Sequence, residues 1–161
     1  MEKTSVLIAM FAALTAILGL VPSMQIVPNV PITAQSLGIM LCGTILGAKK
    51  GGLAAHFFVI LTLIGLPLLA GGRGGIGVLA GPSAGFIIGF PIAAFVTGWF
   101  MEHTKSVDIQ IATILSATSG GIVVLYIPGV FGMMINGGYS LEGAMVATCL
   151  LYTSDAADDL R

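Results

Sequence analysis

The sequence predicts an all-α integral membrane protein, a six-helix bundle of apolar spans in a bilayer. Of its 161 residues, 57% are hydrophobic and only 8% are charged, and the mean hydropathy is +1.06. Long apolar runs recur along the chain, separated by short links of proline, glycine or charge. An ordinary soluble domain carries about a quarter charged residues, so a water-facing surface cannot be built from this composition. Disorder is excluded too, because disordered chains are poor in large apolar side chains and rich in charge. The length suits one domain.

A spanning helix needs about 20 mostly apolar residues, within a range of roughly 17 to 25. The first span is expected at residues 5–21, retained as a membrane helix because further apolar segments, and no polar mature domain, follow it. The second runs from about 32 to 46 and is short; the third covers 52–69, the fourth 84–101 and the fifth 109–135. A sixth opens at Leu141. Residues 22–31, with three prolines, and the glycine-dense stretch 71–85 are expected as connections, because proline lacks the amide donor and glycine lacks backbone bias.

Short cytoplasmic loops are enriched in Lys and Arg. Simple alternation of the spans puts Lys3, Lys49, Lys50 and Lys105 on one side, which makes that side the cytoplasm and the amino terminus cytoplasmic. The connections 22–31 and 71–85 and residues 136–140 then lie outside, with Arg73 the cation among them.

The net charge of −1 gives no basic face for nucleic acid. Cys42 and Cys149 have no CxxC spacing, so neither a redox motif nor a metal site is indicated, and Cys42 is expected as a small buried hydrophobe. HExxH, GxSxG and Walker A patterns are missing, and Gly75-Ile76-Gly77 lacks the third glycine of a dinucleotide loop. The sequence therefore points away from an enzyme, and no cofactor is expected. Confident spans also lack the acidic residues of a proton relay, so uphill transport would draw its energy from a partner.

The stretch 69–86 holds the most information. Its glycines let backbone approach a ligand closely, which irregular chain at membrane depth does only around a protein-lined cavity. Pro82 and Ser83 suit a helix start whose amides favour an anion. Arg73 adds a cation, so a small carboxylate would find donors here; a solvated loop arginine is the plainer alternative. Gln35 is balanced between a ligand contact and a bond to a neighbouring helix. His56 is expected to be buried and hydrogen-bonded or packed, and Trp99 and Phe100 to be interfacial anchors. Ala9 with Ala13, and Ala12 with Ala16, make small-xxx-small pairs in the first span. These pairs serve either internal packing or the docking of another membrane subunit.

The carboxyl end turns acidic where the sixth span should continue, with Asp155, Asp158 and Asp159 within five residues. Aspartates at membrane depth cost several kcal/mol. Residues 149–161 resemble a translated sequencing adapter, so a non-native tail is expected there, after a membrane domain of residues 1–148; a short helix followed by a solvated tail is the alternative.

The string 30–38, Val-Pro-Ile-Thr-Ala-Gln-Ser-Leu-Gly, resembles the BioY family, the biotin-specific substrate-binding (S) subunits of energy-coupling factor (ECF) transporters. So do residues 46–51, Leu-Gly-Ala-Lys-Lys-Gly, residues 65–67, Gly-Leu-Pro, and the stretches 71–75 and 81–86. The resemblance covers residues 5–148. It implies an S-component bundle in the plasma membrane that captures biotin at the outer face, with a transmembrane coupling subunit and a pair of ATPases as partners. By the same resemblance Gln35, Gly72, Arg73, Gly74, Pro82, Ser83 and Phe86 would bind the vitamin, and Ala9 and Ala13 would meet the coupling subunit. The chain departs from the family pattern at Arg73, Ala84 and Phe86. It also lacks the family's closing Pro-Phe-x-Pro-Gly-Asp-x-x-Lys segment, whose roles do not pass to Asp155, Asp158 or Asp159. A subunit for thiamine or riboflavin, or a ligand-free membrane assembly protein, are the competing readings.

Overall fold

A computed structural model describes residues 2–20, 24–27, 30–32, 34–104 and 108–145. The expected non-native tail lies outside the described residues. Helix α1 spans Glu2–Gly19. The connection that follows is not wholly irregular, because β1 (Met24–Val27) pairs antiparallel with β2 (Val30–Ile32). Pro31 falls inside β2, a position a two-stranded ribbon tolerates because each strand has an edge needing no donor. The helical framework thus carries a small hairpin that its prolines had marked as loop.

Helix α2 is a single 30-residue element, Gln35–Ile64, with a non-helical break at Gly47 (φ 80°, ψ 178°). A straight helix of this length would hold its ends about 45 Å apart, yet the Gln35 side chain reaches the carbonyl of Leu68, just beyond the other end. The chain therefore reverses at Gly47, and its two limbs, residues 35–46 and 48–64, lie side by side. Glycine is required in the contact, since a Cβ on Gly51 would collide with the Cys42 carbonyl and lie 3.0 Å from Gly43 Cα. Close backbone approach through small residues is how helices associate where lipid removes the hydrophobic driving force. The second limb stops at Ile64, five residues before the expected Leu69, because Gly65 turns to φ 123°.

Helix α3 (Ala84–His103) packs against α2 and against the helical run that follows. That run starts as α4 (Ile109–Ser116), loosens into a π-helical segment (Ala117–Val124) and ends as α5 (Leu125–Gly137). Gly120 in the π segment faces the buried Thr97 of α3 so closely that no side chain fits there. After Gly138, in the left-handed region at φ 67°, residues 141–145 begin another helix.

The exterior lacks the polar cover of a water-soluble protein. The core is apolar, with Phe11, Ile39, Phe58, Ile87, Phe90 and Leu125 among its members. Large apolar side chains also cover the outside, with Ile64 74% and Ile135 77% exposed. Among the described residues, three helical stretches are long and apolar enough to cross a membrane: Gln35–Ile64, taken over both of its limbs, Ala84–His103 and Ile109–Gly137. Two buried hydroxyls are satisfied on their own helices, Thr15 donating to Phe11 O and Thr62 to Phe58 O, each at 2.9 Å, whereas the buried Thr97 Oγ1 has no hydrogen-bond partner among the described residues. Cys42 is buried, 3.6 Å from the Thr15 hydroxyl. His56 departs from expectation: it is exposed on the same side of α2 as Leu53, Phe57 and Ile60, because the small Ala54 and Ala55 take the buried positions beside it.

Candidate binding site

The reversals gather two kinds of connection at opposite ends of the bundle. Lys3, the Gly47 turn with Lys49 and Lys50, and the end of α3 lie at one end, where Glu102 Oε1 accepts a hydrogen bond of 2.9 Å from Ala48 N. Trp99 stacks there on His103, with ring centroids 4.3 Å apart. The hairpin, the long loop 65–83 and the end of α5 lie at the other, the loop end.

Gln35 is 2% exposed and donates from Nε2 to Leu68 O at 2.8 Å. Gly19 completes this contact, since a Cβ there would stand 2.5 Å from Gln35 Nε2 and 2.6 Å from Leu68 O. The two possibilities open for Gln35 are thus narrowed, because its amide nitrogen holds the root of the loop. The loop then folds back on its helix through Gly75 N to Thr62 O at 2.7 Å. Within it, Leu69 N donates to Arg73 O at 3.0 Å and Gly72 N to Leu69 O at 2.9 Å, a tight turn in which Gly71 and Gly72 both take positive φ. Gly74 presses on the Leu66 carbonyl.

Arg73 stands exposed at this turn, and its hydrogen bond among the described residues is from Nε to Ala70 O at 3.3 Å. Its terminal nitrogens are the cationic donors at the loop end. The amides at the start of α3 are less available than expected. Ala84 N donates to Gly81 O at 3.1 Å, Phe86 N to Ser83 O at 3.1 Å and Ile87 N to Ser83 O at 3.3 Å. Gly85 N lies under Gly132 of α5, 2.5 Å from where a Cβ would stand. The helix start at Pro82–Ser83, the expected anion site, is therefore largely occupied by the protein's own packing.

Phe86 is half-buried and meets Tyr126 edge-on, with centroids 6.1 Å apart and planes at 85°. A Cβ on Gly129 would fall 2.5 Å from the Phe86 ring, so that glycine makes room for it. Val130, Met133 and Met134 continue the apolar wall. The sequence-picked residues thus share one end of the molecule but divide into two groups, Gln35 with the loop root and Pro82, Ser83 and Phe86 with α5. Gly72, Arg73 and Gly74 lie in the loop that joins them. Sequence reading missed Tyr126 and Gly129; the glycines at 129 and 132, which let α5 approach Phe86 and Gly85, were the available signal.

A second feature lies on the outside, between α1 and the second limb of α2. It is an apolar groove of about 390 Å³ whose lining includes Ala9, Ala13, Phe57, Leu61, Leu66 and Pro67. Ala9 and Ala13 are exposed, whereas Ala12 is buried in the core.

Residues 2–157 match the model of the BioY family. The chain belongs to this family. It is 46% identical over 149 residues to the biotin transporter BioY of Rhodobacter capsulatus, an alignment covering 91% of this chain and 78% of that one. With the biotin transporter BioY of Rhizobium etli it shares 43% identity, covering 93% of this chain and 83% of the relative. Its fold matches the crystal structure of the S-component for biotin from an ECF-type ABC transporter, with a TM-score of 0.87, 29% identity and coverage of 96% of this chain and 83% of that one. This BioY chain is therefore a membrane protein of the S-component fold, and the loop end and the alanine groove are its two candidate functional surfaces.

Proposed function

We propose that this chain is the biotin-capturing membrane subunit of an ECF-type importer. The observation that carries the proposal is the structural match to a biotin S-component over 96% of the chain. The loop end supplies suitable chemistry: an apolar wall around Phe86 for the ring and chain, loop backbone for the ureido group, and Arg73 for the carboxylate. Ligand sites of this kind are mostly apolar, with a few polar groups that fix orientation. Gln35 contributes by holding Leu68, and Pro82 and Ser83 by seating the start of α3.

The protein has no catalytic role of its own in this proposal; a transmembrane coupling subunit and a pair of ATPases supply the work. The coupling subunit meets the exposed Ala9 and Ala13. The lysine-bearing end faces the cytoplasm, the loop end faces outward, and the amino terminus is inside. The tail 149–161 is read as foreign to the gene although the family match runs to residue 157; a continuous genomic match through codon 161 would overturn that last point.

The test is calorimetric titration of biotin into purified protein carrying its gene-encoded carboxyl end, with thiamine and riboflavin as competitors. Saturable binding that only biotin blocks supports the proposal. Binding blocked by another vitamin, or no vitamin-dependent thermal shift at all, overturns it.

A further inference from the structure

One polar side chain joins two elements of the loop end. Asn136, in the last turn of α5, donates from Nδ2 to Leu79 O at 2.8 Å and to Gly81 O at 3.3 Å. Both acceptors are backbone carbonyls, so the contact needs the two N–H donors of a neutral amide, and a carboxylate of the same shape cannot replace it. The acceptors bracket the end of the 3₁₀ turn Ile76–Ala80, none of whose residues is buried. Ile76 is 75% exposed. The turn is otherwise held by local hydrogen bonds, Val78 N to Gly75 O at 3.2 Å and Gly81 N to Val78 O at 3.4 Å. Val78 and Leu79 pack on the core, and the backbone holds the two ends of the segment through Gly75 N to Thr62 O and Ala84 N to Gly81 O, but Asn136 is the side chain that bonds it to α5. Its neighbour Gly137 bears on Pro82, 3.0 Å from a would-be Cβ, so the end of α5 grips both the turn and the entry to α3.

We infer that Asn136 is a positioning residue of the binding site. Its amide clasps the 76–81 segment to α5 and sets the loop between Arg73 and Phe86, and thereby the rate at which bound ligand leaves. The ligand in this inference rests on the biotin reading; the clasp does not. Losing the donor pair frees the segment while leaving the helices packed, because Asn136 is itself exposed and outside the core.

The experiment places a nitroxide at position 76 through Ile76→Cys in the full chain in lipid nanodiscs, with the protein lacking that substitution as the labelling blank. Spectral mobility without biotin and the biotin off-rate are read for Asn136, Asn136→Asp, Asn136→Ala and Asn136→Gln. Asp and Ala are expected to mobilise the label and to speed release roughly fivefold, the ratio that corresponds to one hydrogen bond of about 1 kcal/mol. Gln, which keeps the donors, restores both toward the parent values. An immobile label in the Asp and Ala variants overturns the clasp, whatever the off-rate does. A mobile label with an unchanged off-rate overturns the link to release. If the parent protein binds no biotin, the functional reading fails, and label mobility still decides the clasp.

Discussion

At the scale of single residues, the departures from the family pattern make the sharpest predictions. Arg73 has one weak tie to its own turn, and its terminal nitrogens remain for a ligand. A hydrogen bond to a charged group contributes about 1.5–3 kcal/mol. Arg73→Ala is therefore expected to weaken biotin binding by roughly ten- to a hundredfold in calorimetric titration, with Arg73→Lys between the two. Equal affinity in all three proteins would remove Arg73 from the site. Gly85 makes the opposite kind of prediction, about packing. A Cβ there would overlap the Pro128 carbonyl and stand 3.0 Å from Gly132 N, so Gly85→Ala must push α3 and α5 apart. Overpacking of this sort costs roughly 1–3 kcal/mol, and a lower midpoint in detergent thermal unfolding is expected. An unchanged midpoint would mean that α5 shifts freely.

At the scale of elements, the turn at Gly47 determines the topology. With φ 80° and ψ 178° it occupies a region essentially reserved for glycine, where another residue costs of order 1–3 kcal/mol. A Cβ there would also press on Glu102 Oε1, the atom that caps Ala48 N. Gly47→Ala should therefore lower thermal stability more than Gly52→Ala, whose Cβ would meet Phe95 Cβ at 3.3 Å. The same unfolding assay compares them, and equal losses would argue that the reversal does not depend on glycine. The sequence made this reversal legible, because Lys49 and Lys50 divide the apolar run into the second and third expected spans, 32–46 and 52–69. Other features were less legible for physical reasons. The π segment depends on how Gly120 and Gly121 meet Thr97 and Met40 of other helices, contacts absent from local pattern. His56 was misplaced because apolar flanks on both sides look alike whether they face lipid or core, and only the positions of Ala54 and Ala55 decide which side is buried. In the site, the glycine-rich loop was found by composition alone, but Asn136 was not, since its acceptors are carbonyls 55 and 57 residues away.

At the scale of the whole molecule, the loop end and the alanine groove make separable demands. Capture needs only the loop end, whereas delivery needs a surface that another membrane protein can approach closely. Ala9 and Ala13 are exposed on α1 beside Phe57 and Leu61, while Ala12, at the floor of the same groove, is 2% exposed and packed in the core. Leucine at positions 9 and 13 would fill the groove outward without touching the core, blocking the close approach that small side chains permit. The double variant Ala9→Leu/Ala13→Leu is therefore expected to bind biotin within about twofold of the parent, since both positions are exposed and the hydrogen bonds that hold the loop, Gln35 to Leu68 and Gly75 to Thr62, lie on other residues. Its uptake of labelled biotin by cells carrying the coupling subunit and ATPases should fall to background. Ala12→Leu is the contrast: it overpacks the core, and both stability and binding should fall together. Uptake that survives in the double variant would place the docking surface elsewhere. Loss of binding in that variant would instead return the alanine pairs to the internal-packing role left open by their spacing.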